Sequence, residues 1–250
     1  MYNNIVLNPT VRQDDILITQ DGTEIKFIHV TQKKLYEEAL LGIYKDHSSP
    51  TKWAANLNIL ICWDKVWTAV HNFLLTNDTK TAIWQQLHLN FYTTYSYNKW
   101  HGKNDLCPLC QKIPDDSYHI ILHCDFTNKL WQEIEPTLKK LHPNSVSMEE
   151  KALGIVHTKQ TNGILLRNWV TFSLRRHIMQ CEREAYHSPN TLNIGTSKTK
   201  FNQTMTSEMK VKMMQYKNID FVQKILTHSG ILCEKIGEEE YRFKQVFRFN

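Results

Sequence analysis

Cys107-Pro108-Leu109-Cys110 decides how this chain is read: eight residues separate Cys110 from His119, and four more separate His119 from Cys124. Three thiols and an imidazole form a complete tetrahedral ligand set for Zn²⁺. The backbone turn at Pro108-Leu109 brings the first two thiolates together. The loop 111–118, with Pro114-Asp115-Asp116-Ser117, returns the chain to His119. Between His119 and Cys124 lie Ile120-Ile121-Leu122-His123, short enough for one helical turn to aim both ends at the metal. His123 competes as a ligand, but it adjoins Cys124, which makes joint chelation awkward, so His119 is preferred.

Three thiolates and a neutral imidazole around Zn²⁺ carry a net charge of about −1, so cations such as Lys103 and Lys112, or backbone N–H groups, are expected nearby. With all four positions filled by protein, no place remains for an activated water. The zinc expected here is structural, held by Cys107, Cys110, His119 and Cys124. A zinc hydrolase is not.

Working downstream, Asp125 is placed to cap a helix whose apolar positions Phe126, Leu130, Ile134, Leu138 and Leu141 step by three or four, with Trp131 broadening the face. Ser147-Met148-Glu149-Glu150 has the form of a capping box opening a short helix toward Ile155. A longer helix is predicted from Gly163 to about Tyr186, with Leu166, Val170, Leu174, Ile178 and Cys181 on one stripe. From His187 to Thr204 the chain is rich in Ser, Thr, Asn and Lys and contains Pro189 and Gly195, the composition of a linker. Residues 205–250, with a Met-rich run to Leu226, then read as a small C-terminal subdomain or docking piece.

Working upstream, Phe91, Tyr92, Tyr95, Tyr97 and Trp100 run directly into the first cysteine pair. With Lys99, His101 and Lys103 among them they have the makings of a base-stacking, phosphate-touching surface. Aromatics at such spacing more often pack helices, and packing is favoured for most of them. Trp53, Leu57, Leu60, Trp63, Trp67, Val70, Phe73 and Leu74 recur at the helical period, which Thr79 to Leu89 resumes after a break at Asn77-Asp78. Ser48-Ser49-Pro50 reads as a breaker, preceded by a helix capped at Thr31. Alternation at Ile16 and Ile18, then Ile25, Phe27 and His29, on either side of Asp21-Gly22, predicts a β-hairpin within residues 1–30.

The expected architecture is therefore mainly α: a helical bundle over 31–186 that holds a CCHC zinc knuckle at 107–124 and follows an N-terminal β-hairpin. The 250 residues are 41% apolar, enough for one large or two modest cores, and only eight are Gly, few for an α/β enzyme with many tight turns. Three of the six cysteines fall inside the knuckle, which fits metal binding in a reducing compartment better than a disulfide framework. Cys62, Cys181 and Cys233 sit in apolar or helical patterns and read as buried free thiols. Neither a secretory leader nor a membrane span is expected, which points to an intracellular protein of the nucleus or cytoplasm.

A net charge of +5 suits a polyanionic partner without requiring one. From Thr161 to Gln203 there are six cations (Arg167, Arg175, Arg176, Arg183, Lys198, Lys200) against two acids, Glu182 and Glu184. The excess describes equally a phosphate-contacting helix face and an ordinary solvated one.

The Cys107-Pro108-x-Cys110 pair, the His119 to Cys124 spacing over apolar residues, and the helix start from Phe126 to Trp131 together resemble the zinc-binding domain at the C-terminal end of reverse transcriptases from LINE-type, non-LTR retrotransposons. Lys34-Leu35-Tyr36, Lys52-Trp53, Trp63-x3-Trp67 and the aromatic block at 91–100 extend the resemblance over about residues 15–186. It implies a helical region behind the polymerase thumb that helps hold template RNA and target DNA during target-primed reverse transcription. Other parts of a reverse transcriptase polyprotein are then implied as partners.

The chain departs from a polymerase in one respect. Its paired aspartates, Asp14-Asp15 after Arg12-Gln13 and Asp115-Asp116 after Ile113-Pro114, lack the aromatic hairpin context that catalysis requires, and no third acid supports them. The expected function is non-catalytic binding of RNA or DNA, with Lys99, Lys103, Arg175 and Arg176 as phosphate contacts. The alternative is a structural or protein-interaction module in which zinc only fixes the fold and the Met-rich segment 205–226 docks a protein.

Overall fold

A computed structural model of the chain describes residues 16–18, 24–26, 48–89, 106–114, 116–156, 159–188, 192–237 and 240–247. The chain divides into two compact units, Met1–Ser48 and Ser49–Asn250. In the first, strands β1 (Ile16–Ile18) and β2 (Glu24–Lys26) pair antiparallel with Leu17 opposite Ile25. Their connection and the helix expected from Thr31 to Gly42 lie outside the described residues.

The second unit is mainly helical. Helix α1 (Ser48–Leu57) begins where a breaker was expected, because Pro50 falls in its first turn, where no intrahelical donor is required of it. The Trp53 side chain is fully buried, and its indole N–H donates to Leu87 O at 3.1 Å, tying α1 to the end of α3 (Asn77–Leu87). Between them lies α2 (Trp63–Val70), which buries Val66, Ala69 and Val70. The pattern break at Asn77 is the start of α3, since Thr76 caps it by accepting from Thr79 N–H.

Helix α4 (Asp125–Leu141) buries Leu130, Ile134, Leu138 and Leu141, as its stripe predicts, and Trp131 donates to Ile121 O at 3.2 Å. Its N-cap is Cys124, while Asp125 stands in the first helical turn. Ser147 caps α5 (Met148–Leu153) through Glu150 N–H. Gly154 ends it at φ +78°, and a Cβ there would meet the Phe172 ring at 2.7 Å, so both conformation and space call for glycine.

Helix α6 (Asn162–His187) is the axis of the unit. Eighteen of its twenty-six residues are buried, so it is surrounded rather than laid on a core, and α2, α3, α4, α5, α7 and α8 all pack against it. Such burial brings charge inside. Arg167 is 0% exposed and donates from Nε and Nη2 to the two carboxylate oxygens of Glu150, each at 2.6 Å. Its Nη1 donates to the carbonyls of Leu138, in the last turn of α4, and of His142 and Asn144 just beyond it; Leu138 O also accepts from His142 N–H.

The expected linker at 187–204 is mostly helix: α7 runs Ile194–Gln215, capped by Asn193, which accepts from Thr196 N–H. Its polar composition conceals a packed face, because Ser197, Lys198, Phe201 and Asn202 are buried. Helix α8 (Asp220–Leu226) and the antiparallel strands β3 (Cys233–Lys235) and β4 (Tyr241–Phe243) follow. Residues 205–250 do not form a subdomain apart. Thr137 donates to Val246 O at 2.7 Å, and the Asn202 amide both donates to Phe247 O and accepts from Phe247 N–H. The Phe247 ring meets Phe201 edge-on in the common core.

Candidate metal centre

The knuckle is built from local hydrogen bonds. Leu106 and Pro114 form an antiparallel bridge, Cys107 N–H donates to Ile113 O at 2.9 Å, and Gln111 N–H closes the turn onto Cys107 O at 2.7 Å. Gln111 takes φ +55°, the left-handed conformation that reverses the chain immediately after the second thiol. His119 enters with its backbone N–H donating to Asp116 Oδ1 at 2.6 Å.

His119–His123 then forms a π-turn in which Cys124 N–H donates to His119 O at 2.7 Å. In an α-helix, residues five apart would point about 140° away from each other. The wider π-turn brings His119 and Cys124 to the same side.

The result is convergence. The ligand atoms of Cys107, Cys110, His119 and Cys124 all lie within 4.8 Å of one another. Cys107 Sγ and Cys124 Sγ are 3.9 Å apart, and Cys110 Sγ is 3.3 Å from His119 Nε2. A tetrahedral ion with metal–sulfur bonds of about 2.3 Å and metal–nitrogen bonds of about 2.0 Å requires S···S edges of about 3.8 Å and S···N edges of about 3.5 Å. The observed separations fit such an ion, whereas a disulfide would need sulfurs about 2.05 Å apart. Three of the four residues are buried and Cys110 is half-buried.

The surroundings favour a thiolate at Cys124. Its pKa is lowered to about 6, first by the hydrogen bond with Cys107, against the opposing effect of burial, and further by the backbone N–H groups of Thr127 and Phe126 and by His119. Those amides are the unpaired donors at the start of α4. Lys112 pairs with Asp125 at 2.6 Å, linking the knuckle loop to the first turn of α4, although both groups face solvent. His119 Nδ1, turned away from the thiols, is buried and has no hydrogen-bond partner. His123 is exposed and stands outside the cluster, whereas His119 lies within it.

The four residues can thus hold a metal ion, and a tetrahedral ion would have every position filled by protein. Of the other thiols, Cys181 and Cys233 are buried as expected, and burial raises each to about 11. Cys62 is instead exposed, because it precedes α2 at the N-cap position rather than lying inside a helix. Asp14 and Asp15 lie outside the described residues, as does Asp115. Among the described residues no helix is long and apolar enough to cross a membrane.

Of the four expected phosphate contacts, Arg175 and Arg176 fall within the described residues. Lys99 and Lys103, with the aromatic block 91–100, lie outside the described residues. Arg175 is 0% exposed: its guanidinium donates to Ala152 O, lies over the Phe172 ring and cannot meet a phosphate in solvent. Arg176 is 22% exposed and is shared between Asp78 and Glu208, each at 3.3 Å. Lys198 pairs with Glu133 and Lys200 with Glu184. The cation excess along 161–203 is largely neutralised by acids that are distant in sequence, a pairing no local reading could reveal.

Fold and site together define a mainly helical protein with a three-cysteine, one-histidine metal-binding group. Comparison of the chain with protein-family models, with curated proteins and with solved structures gives no match.

Proposed function

We propose that this chain is a zinc-stapled, non-catalytic module that binds nucleic acid. The observation that carries the metal reading is the convergence of the ligand atoms of Cys107, Cys110, His119 and Cys124 within 4.8 Å of one another, with two of their separations close to tetrahedral edges. A thiolate-rich tetrahedral set selects Zn²⁺ among the common divalent ions, and a site with four protein ligands is structural rather than catalytic. The metal would fix the knuckle to the start of α4 and so to the helices around α6. The nucleic-acid reading is supported by the resemblance of the knuckle to the C-terminal domain of LINE-type reverse transcriptases and by the net charge of +5. On that reading the module holds template RNA or target DNA for a polymerase carried elsewhere.

Two measurements test the proposal. Metal analysis of the purified protein should give one zinc per chain. Binding of single-stranded RNA or DNA should weaken steeply as salt rises, because phosphate contacts release counterions. Absence of stoichiometric zinc defeats the first half, and binding that is absent or insensitive to salt defeats the second.

A protein-interaction role is the second reading. It is favoured by the exposed apolar side chains Val211, Met214 (78% exposed) and Phe221 (62% exposed) in the Met-rich segment. Pull-down with and without nuclease separates the two.

A further inference from the structure

The C-terminal part of the helical unit contains a groove of about 840 Å³ that none of the sequence patterns singled out. Three elements build it, each through its own periodicity. Lys210, Met213 and Met214 lie at helical spacing along the end of α7 with Lys217 just beyond it, and Asp220, Gln223 and Lys224 do the same along α8 with Thr227 at its C-cap. Tyr241 and Phe243 stand on one face of β4, with Lys235 directly opposite Tyr241 on β3. Lysines from separate elements thus surround a floor of two aromatic rings and two methionines. Lys210 Nζ lies 5.9 Å from the centre of the Phe243 ring.

The pairing habits of the fold set this groove apart. On α6 and α7 the cations Arg167, Arg176, Lys198 and Lys200 are each held by a carboxylate. Lys210, Lys224 and Lys235 are exposed and form no ion pair among the described residues, although Asp220 and Glu240 line the same groove. Among the described residues, four lysines and two acids line the groove. Tyr241 and Phe243 are half-buried, and cations around accessible aromatic edges and faces are the arrangement that tracks a phosphate backbone while its bases stack.

We infer that this groove binds single-stranded nucleic acid, its phosphates against Lys210, Lys224 and Lys235 and its bases against Tyr241 and Phe243. The inference rests on the nucleic-acid reading above and moves the contact surface from α6, where Arg175 and Arg176 are occupied, to a part of the chain outside the family resemblance.

The test uses the full, zinc-loaded chain with fluorescent oligo(U) and oligo(dT), whose anisotropy is followed across a salt series. The triple substitution Lys210→Gln, Lys224→Gln and Lys235→Gln should weaken binding about tenfold or more near ~0.1 M salt and flatten the log–log salt slope by about 2, since each single-strand phosphate contact contributes about 0.7. Tyr241→Leu should weaken binding roughly fivefold or more with the slope unchanged, because a stacking surface and not a charge is lost. Ultraviolet cross-linking of the unsubstituted protein should label peptides from 205–247, a readout that does not depend on a variant folding.

If the chain binds both oligonucleotides, but the variants bind as tightly with the same slope and the cross-links fall elsewhere, the groove assignment is wrong and the broader reading stands. If the unsubstituted chain binds neither, both fail. Competition by polyglutamate as effective as that of the oligonucleotide at equal charge would also overturn the inference, by showing a bare anion surface without stacking or an acidic protein as the true ligand class.

Discussion

Replacing Arg167 by Met should be among the most destabilising single changes in the helical unit. The side chain is 0% exposed, holds both oxygens of the buried Glu150 at 2.6 Å, and serves three carbonyls in and just after the last turn of α4. Methionine approximates its length and apolar stem but leaves the carboxylate uncompensated, and removing one partner of a buried pair costs about 3–5 kcal/mol. Adding Glu150→Gln removes the stranded charge and should restore part of the loss. The carbonyls remain short of a donor, leaving a residual of roughly 1–3 kcal/mol.

Urea denaturation at neutral pH, followed by tryptophan fluorescence, measures both quantities provided that m is unchanged. Two outcomes would refute the reasoning: a cost below about 1 kcal/mol for Arg167→Met, or a double variant no more stable than the single. The first would mean that the guanidinium is solvated, and the second that Glu150 gains nothing from it.

Three further expectations use the same measurements. Cys124→Ser should abolish stoichiometric zinc and destabilise the unit by several kcal/mol, while His123→Ala retains the metal, so equal zinc content in the two variants would undo the ligand assignment. Arg175→Met should leave stability within about 1 kcal/mol of the parent, because that guanidinium has no carboxylate partner and burial alone holds it down to about 9; a loss comparable to that of Arg167→Met would expose a counter-ion the structure does not contain. His177, buried beside Ser197 and Cys181, is lowered to about 4 by burial, against 6.5 unperturbed. The unfolded chain therefore binds the extra proton between those values, and stability should fall by up to about 3 kcal/mol as pH drops from 6.5 toward 4. In His177→Asn that slope should flatten, and an unchanged acid profile would show that another group governs it.

What could be read from the sequence was what is local. The convergence of three cysteines and a histidine was legible because the four fall within eighteen residues, at spacings that a tetrahedral metal site would constrain. Helices α4 and α6 announced themselves through apolar stripes, and Ser147 through its capping pattern. The α7 helix was mistaken for a linker because it packs Ser197 and Asn202 where a stripe reader expects leucine. Its one local signal was Asn193 at the cap. The arginines of α6 were misjudged as a surface for a different reason. Their partners Glu150, Ala152, Glu208 and Asp78 stand on other helices, and the hydrogen bonds to them span up to 98 positions. Phe247 likewise belongs to the core through Asn202, a pairing across 45 positions that no composition shift marks.

The span of the metal ligands also bears on the order in which the chain can assemble. Closing a loop of this length costs little entropy, and a metal ion can begin to order it while the rest of the chain is extended. Helix α6 is in the opposite position, because its packing partners run from α2 to α8 along the chain. The knuckle with the first turns of α4 is thus the part able to form first. The central helix condenses onto it later, so on the proposed zinc reading the supply of metal would act on the rate of assembly as well as on final stability.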